Sequence, residues 1–157
     1  TLHLPYRSES AYLAELSQSM RADIVRKMKR AGDVAIEVRD GIDDVEAEIV
    51  ALFEETRAQR KADYGAFDNV PARYFGEVMR SGGGRSQVML TRVGGRLMSF
   101  NIALLERERV LAKYIGMRYP EAREHNIYLQ NYADYASFAF DALKAGGYDP
   151  FGAQITT

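Results

Sequence analysis

The spacing of apolar residues changes period near Ser86. Before that point they recur every three or four positions, as on one face of a helix; after it they alternate, as on a half-buried strand. The stretch SESAYLAELSQSMRADIVRKMKRAG reads as helix with a restart near Ser17, where Ser17 or Ser19 would cap the second part and Gly32 would follow its end. Met20, Ile24 and Met28 are spaced to face a core. DVAIEVRDG, with Val34, Ile36 and Val38 alternating against Ala35, Glu37 and Arg39, predicts a short strand. DDVEAEIVALFEETRAQRKADYG predicts a long amphipathic helix with Val45, Ile49, Leu52 and Phe53 as its stripe. PARYFGEVMRSGGG predicts a second one, opened by Pro71 and stopped by glycines.

Beyond Ser86 the runs SQVMLTRV and RLMSFNIALLE are separated by Gly94-Gly95, a hairpin signal, and RVLAKYIGM follows a charged turn. These three predict a consecutive antiparallel meander. A helix from Asn126 to about Lys144, with Leu129, Tyr132, Ala136 and Leu143 inward, and a last strand within YDPFGAQI complete the chain. The order is helix, strand, two helices, three strands, helix, strand: an α+β protein with helices flanking one twisted, mostly antiparallel sheet.

Composition narrows the chemistry. A chain of 157 residues with 46% apolar and 27% charged residues fits one globular domain with a real core. The formal net charge of −1 argues against polyanion binding by the chain as a whole. With no cysteine and two histidines, His3 and His125, thiolate zinc sites, cysteine nucleophiles and multi-histidine metal centres are excluded. A reducing cytoplasm is the simplest setting, and no signal-peptide pattern or membrane-length apolar run is present. The chain begins without methionine, so it is expected to be a domain of a longer protein: an entry helix region over 1–31 and the main domain over 32–157. No Gly-x-Gly-x-x-Gly, Gly-Lys-Ser/Thr or Gly-x-Ser-x-Gly motif occurs, and the glycines after Ser81 end a helix rather than start one.

The element order from about Gly32 to the end resembles that of the GNAT N-acyltransferases. YLAELSQSMRADIVRKMKRAG, GGRLMSFNIAL and YIGMRYPEAREHNIYLQNYADYASFAFDALKAGGYDPFGAQ are similar to the FemAB-like, peptidoglycan-biosynthesis-type branch of that superfamily. The resemblance implies transfer of an acyl or aminoacyl group to a small-molecule amine acceptor. It implies no tightly bound cofactor, with acyl-CoA or aminoacyl-tRNA as co-substrate. It also implies a V-shaped cleft where the fourth strand of the family core splays from the fifth. The donor arm would lie along LAKYIGM, against the backbone of Ile115 and Met117, with its phosphate at the next helix N-terminus, where unpaired amides favour an anion.

In the loop RYPEAREHN, Arg118 and Arg123 would add charge-assisted contacts to that phosphate, and Asn126 would cap the helix. The alternative is that both arginines pair with Glu121 and Glu124 on the surface. The loop has REHNIY where the family's usual pyrophosphate loop has Arg/Gln-x-x-Gly-x-Gly/Ala, so acyl-CoA and aminoacyl-tRNA both remain as donors. A histidine exchanges protons near neutral pH, which makes His125 a candidate base, although a lone histidine at a helix start reads first as a structural hydrogen-bonding residue. Tyr128, in the first helical turn, is a further candidate for proton transfer, and Glu106 or Glu124 is the fallback base. Tyr132 and Tyr135 share a helical face with Tyr128 and read as core. Asn101, Lys113 and Tyr114 fall on the meander, facing directions that alternation alone leaves open. The basic positions Arg21, Arg26, Lys27, Lys29 and Arg30 read as a solvated helix face, or as a patch for RNA in a non-catalytic GNAT-like interaction module. Oligomeric state is not encoded in any of these patterns.

Overall fold

A computed structural model describes residues 2–6, 8–30, 34–59, 69–125, 127, 138–139, 141–144, 147–149 and 153–156. In chain order its elements are β1 (Leu2–Leu4), α1 (Glu9–Glu15), α2 (Gln18–Arg30), β2 (Val34–Arg39), α3 (Glu46–Ala58), α4 (Tyr74–Gly82), β3 (Ser86–Val93), β4 (Arg96–Glu106), β5 (Arg109–Met117), α5 (Glu121–Glu124) and β6 (Ala153–Thr156). Residues 127, 138–139 and 141–144 are also helical.

The strands form one sheet in the order β1-β6-β5-β4-β3-β2. All neighbours are antiparallel except β5 and β6, which run parallel. The meander falls where alternation places it. Its first hairpin turns on Gly94 and Gly95, with φ of 56° and 81°. Two consecutive left-handed residues match the twist of a two-residue hairpin, and glycine adopts them without a Cβ clash.

Two irregularities bend the sheet. Opposite Thr91 and Arg92 the partners are Ser99 and Leu97, so Met98 is an extra residue in β4. Opposite Ile102 and Ala103 the partners are Tyr114 and Ala112, so Lys113 is an extra residue in β5. A bulge of this kind unpairs its extra residue and sharpens the local twist.

Helices cover both faces. On one, Ile49, Leu52 and Phe53 of α3 and Phe75 and Met79 of α4 bury Val88, Leu90, Leu97, Phe100 and Ile102. On the other, Phe138, Ala139, Ala142 and Leu143 pack on Met89, Ala103, Leu105, Val110, Ala153 and Ile155. A smaller cluster of Met98, Met117, Ala122 and Ile127 lies on the α5 side. The predicted α3 stripe is therefore the core contact, and Leu143 is inward as expected. Leu129, Tyr132, Tyr135 and Ala136 lie outside the described residues, as do residues 60–68 at the end of the expected long helix.

Two details differ from the pattern. The chain opens with a strand, β1, which pairs with β6. Three residues are too few for a periodic signal, and pairing with a distant strand leaves no local trace. Met20 is 57% exposed rather than core; its helical spacing from Ile24 marks a shared face without saying whether that face is covered. The side chains of Ile24 and Met28 are outside the description. The restart at Ser17 is present, with its Oγ accepting from the Met20 N–H at 3.3 Å. The structure is thus the expected α+β arrangement. No described helix is long and apolar enough to cross a membrane.

Candidate active site

The site is built on the close approach of α3 to β5. A Cβ placed on Gly116 would lie 2.3 Å from Phe100 Cε1, 2.8 Å from the Leu52 carbonyl carbon and 2.9 Å from the Phe53 nitrogen. Glycine is what lets helix backbone rest on strand backbone here. Thr56 lies one turn on from Leu52, on the same face. It reaches the end of the strand: its Oγ1 accepts from the Met117 N–H at 2.8 Å and donates to the Met117 carbonyl at 3.4 Å. Its neighbour Glu55 accepts a hydrogen bond from the Tyr119 N–H.

The ladder fixes which way these groups point. The Arg118 N–H bonds the Met98 carbonyl at 2.9 Å, across to β4. In an antiparallel pair alternate residues bond to the neighbour, so Ile115, Met117 and Tyr119 turn their backbone groups to the opposite edge. Along that edge β6 pairs with Arg109, Val110 and Leu111. At Met117 and Tyr119 the outward groups are taken by α3. A strand running beside β5 would find no ladder there. Between the two lies a window, Ala112 to Ile115, that contains the bulge residue Lys113.

Aromatic side chains brace the window from the α3–α4 face. The Tyr114 and Tyr74 hydroxyls are hydrogen-bonded to each other. Their rings meet edge to face at 5.5 Å, and Phe75 stands 5.4 Å from Tyr114 in the same manner. Burial, and then the Tyr74 hydroxyl, push the Tyr114 phenol above its ordinary range, so it stays protonated. The Lys113 ammonium sits 5.8 Å from the Tyr114 ring centroid. On the other face Asn101, 5% exposed, is paired directly across from Ile115, and its Nδ2 has no hydrogen-bond partner among the described residues.

For Arg118 the structure departs from the surface-pairing alternative. Glu121 is engaged by Arg96 at 3.2 Å, not by Arg118. Arg118 is half-buried, with Nη1 4.0 Å from Glu55 and Nε 3.4 Å from the Leu97 carbonyl. The first turn of α5 forms through the Ala122 N–H on the Arg118 carbonyl at 2.8 Å, and the His125 N–H bonds the Glu121 carbonyl at 3.2 Å. His125 is half-buried and Glu124 exposed. Arg118, Glu124 and His125 are thus gathered at the C-terminal end of β5. The Arg123 side chain, Asn126 and Tyr128 lie outside the described residues. Glu106 is not part of this group. It takes Nε and Nη2 of Arg109 at 2.9 and 2.5 Å, at the far end of β5, roughly 25 Å away at strand rise. Met117, expected to offer its backbone, has its N–H already held by Thr56.

A family model described as an acetyltransferase (GNAT) domain matches residues 18–148. The chain belongs to that family. No curated protein matches it. As a GNAT domain it is an acyltransferase module, with an acyl donor and an amine acceptor as its partners. The sheet agrees in its parallel β5–β6 pair within an otherwise antiparallel sheet. Thr56, Glu55 and Tyr74 are the residues that sequence reasoning missed. The signal available for the first two was Gly116, because a glycine inside a strand marks a close backbone approach.

Proposed function

We propose that this GNAT domain is of the FemAB-like kind and moves an acyl or aminoacyl group from a thioester or tRNA-ester donor to an amine. The observation that carries this reading is the run of contacts along the outer edge of β5. Thr56 and Glu55 accept from the Met117 and Tyr119 N–H groups, β6 pairs with β5 as far as Leu111, and the Ile115 N–H faces the same edge between them.

In this reading the donor carbonyl accepts from the Ile115 N–H. The amine nitrogen attacks the carbonyl carbon, and the N–H steadies the oxyanion as it develops. The tetrahedral intermediate collapses with cleavage of the bond to sulfur, or to the tRNA ester oxygen. The proton lost by the amine passes to the leaving group through His125, with Tyr128 and Glu124 as the other candidates. Donor phosphate sits on the loop from Arg118 to Asn126, with Arg118 and Arg123 as its cations. Much of the rate would come from holding the two substrates in register. Both donors are cytoplasmic molecules, which is where this reading places the domain.

The RNA-binding alternative gains no support from the described basic residues of α2. Arg21 donates to the Ala14 and Leu16 carbonyls at the end of α1, at 2.9 and 3.1 Å, and Arg26 is paired with Asp23. The test is a calorimetric panel of acyl-CoAs with tRNA as comparison, backed by thermal shift. A donor at a hundred times its Kd stabilises the fold by about 2.7 kcal/mol. No heat and no shift with any donor would overturn the reading.

A further inference from the structure

The edge strand β2 has β3 as its only strand neighbour. In an antiparallel pair alternate residues bond the neighbour, so the others in β2 turn their N–H and C=O groups outward. No described residue outside the sheet bonds them. Proteins commonly blunt such an edge with lysine, proline or a bulge. VAIEVR has no lysine or proline, and all six residues pair with β3 in unbroken register. Ala35 to Val38 are exposed. Ile36 and Val38, each 40% exposed, are two of the three large exposed apolar side chains among the described residues. With Val34 they share one face, across from Thr91, Met89 and Val93.

The edge position gives a use to a symmetry in this strand, which has valine two places before and two places after Ile36. When two copies of one strand pair antiparallel about a two-fold axis, opposed side chains must lie on the same face, so the axis passes through a residue rather than between two. Centred on Glu37, the pairing sets two carboxylates directly opposite each other, which is unfavourable. Centred on Ala35, it leaves Val38 outside the strand pair. Centred on Val38, it sets Glu37 opposite Arg39, but Arg39 is already held by Asp44 at 2.8 and 3.1 Å, and Val34 is left out. Centred on Ile36, it sets Val34 on Val38, Ile36 on Ile36 and Ala35 on Glu37: an apolar row on one face, with no like charges directly opposed. We propose that the β2 edge is an interaction surface for a second copy of this chain, joining two sheets antiparallel with the two-fold axis at Ile36. β5 lies three strands in from this edge, so the join is away from the proposed donor site and does not depend on that reading. Five paired residues per copy make a small interface, of the size of transient contacts, so association depends on concentration.

Because the chain has no cysteine, single cysteines report the register. Ile36→Cys sets two thiols across the axis, with Cβ atoms about 4.5–5.5 Å apart, whereas Glu37→Cys sets them diagonally, about 7–8 Å apart. Under mild oxidation Ile36→Cys should form the linked dimer about tenfold faster. Sedimentation velocity from about 10 μM to about 1 mM should show the parent moving from monomer toward dimer and Ile36→Lys staying monomeric. The urea midpoint of Ile36→Lys should stay close to the parent's, because the position is exposed. A parent that stays monomeric across that range overturns the proposal. So does a dimer that survives Ile36→Lys, or equal cross-linking at positions 36 and 37, since either places the contact elsewhere.

Discussion

Replacing Thr56 with valine removes one hydroxyl from the junction of α3 and β5 and leaves the shape of the side chain almost unchanged. Thr56 is 8% exposed, so water has little access to replace the lost group. The 2.8 Å bond from the Met117 N–H is the one that matters; the 3.4 Å contact to the carbonyl is too long to contribute much. A buried donor left without an acceptor costs about 1–3 kcal/mol. For a chain of this size each kcal/mol lowers Tm by about 2–4 °C. Urea unfolding followed by circular dichroism should show the midpoint falling at constant slope. Thr56→Ser, which keeps the hydroxyl, should recover most of the loss. Hydrogen exchange gives a local readout: the Met117 amide should be protected in the parent and exchange about tenfold faster per 1.4 kcal/mol lost in the variant. A valine variant within about 0.5 kcal/mol of the parent, with Met117 protection intact, would refute the idea that α3 clasps this strand end.

Gly116→Ala should be at least as harmful. The new methyl would sit 2.8 Å from the Leu52 carbonyl carbon, so α3 must retreat by about 0.6 Å, at a cost of about 1–3 kcal/mol for overpacking, seen in the same unfolding assay. The Tyr114 phenol is raised in the folded state, so its contribution is complete below the ordinary tyrosine pKa of about 10 and is lost as pH rises above it. Urea midpoints should therefore hold up to about pH 10 and then fall, and Tyr114→Phe should soften that alkaline fall. Under the proposed mechanism His125→Ala should lower kcat with little change in donor affinity, and Arg123→Ala should weaken donor binding by about 1–3 kcal/mol with the fold retained. Equal behaviour of the two variants in steady-state kinetics and calorimetry would contradict their assigned roles.

The parts of the fold carried by periodicity were readable in advance. The three strands from Ser86 to Met117 run for eight or more residues each, and two glycines mark the first hairpin, so their order and antiparallel pairing followed from local chemistry. The α3 stripe of Val45, Ile49, Leu52 and Phe53 was equally plain. What escaped was non-local. Pairing of β1 with β6 joins residues about 150 positions apart, and nothing in LHL announces it. The bulge at Lys113 is a property of two strands together, since alternation in either one alone gives no count of the other. Thr56 continues the α3 stripe by helical spacing, but nothing local showed that its hydroxyl would bond a strand 61 residues away. The partners of Arg118 and Glu121 were also set by tertiary placement, which brought Glu55 and Arg96 nearer than the arginine–glutamate pairs within the loop.

The central claim is that the donor carbonyl meets the Ile115 N–H on the outer edge of β5. Amide hydrogen exchange of Ile115, followed by NMR with and without saturating acetyl-CoA, tests it most directly. The account predicts marked slowing at Ile115 on binding, with Met117 already slow in the free protein and unchanged. Donor binding that leaves Ile115 exchange as it was, or that instead displaces Thr56 and alters Met117, would contradict it.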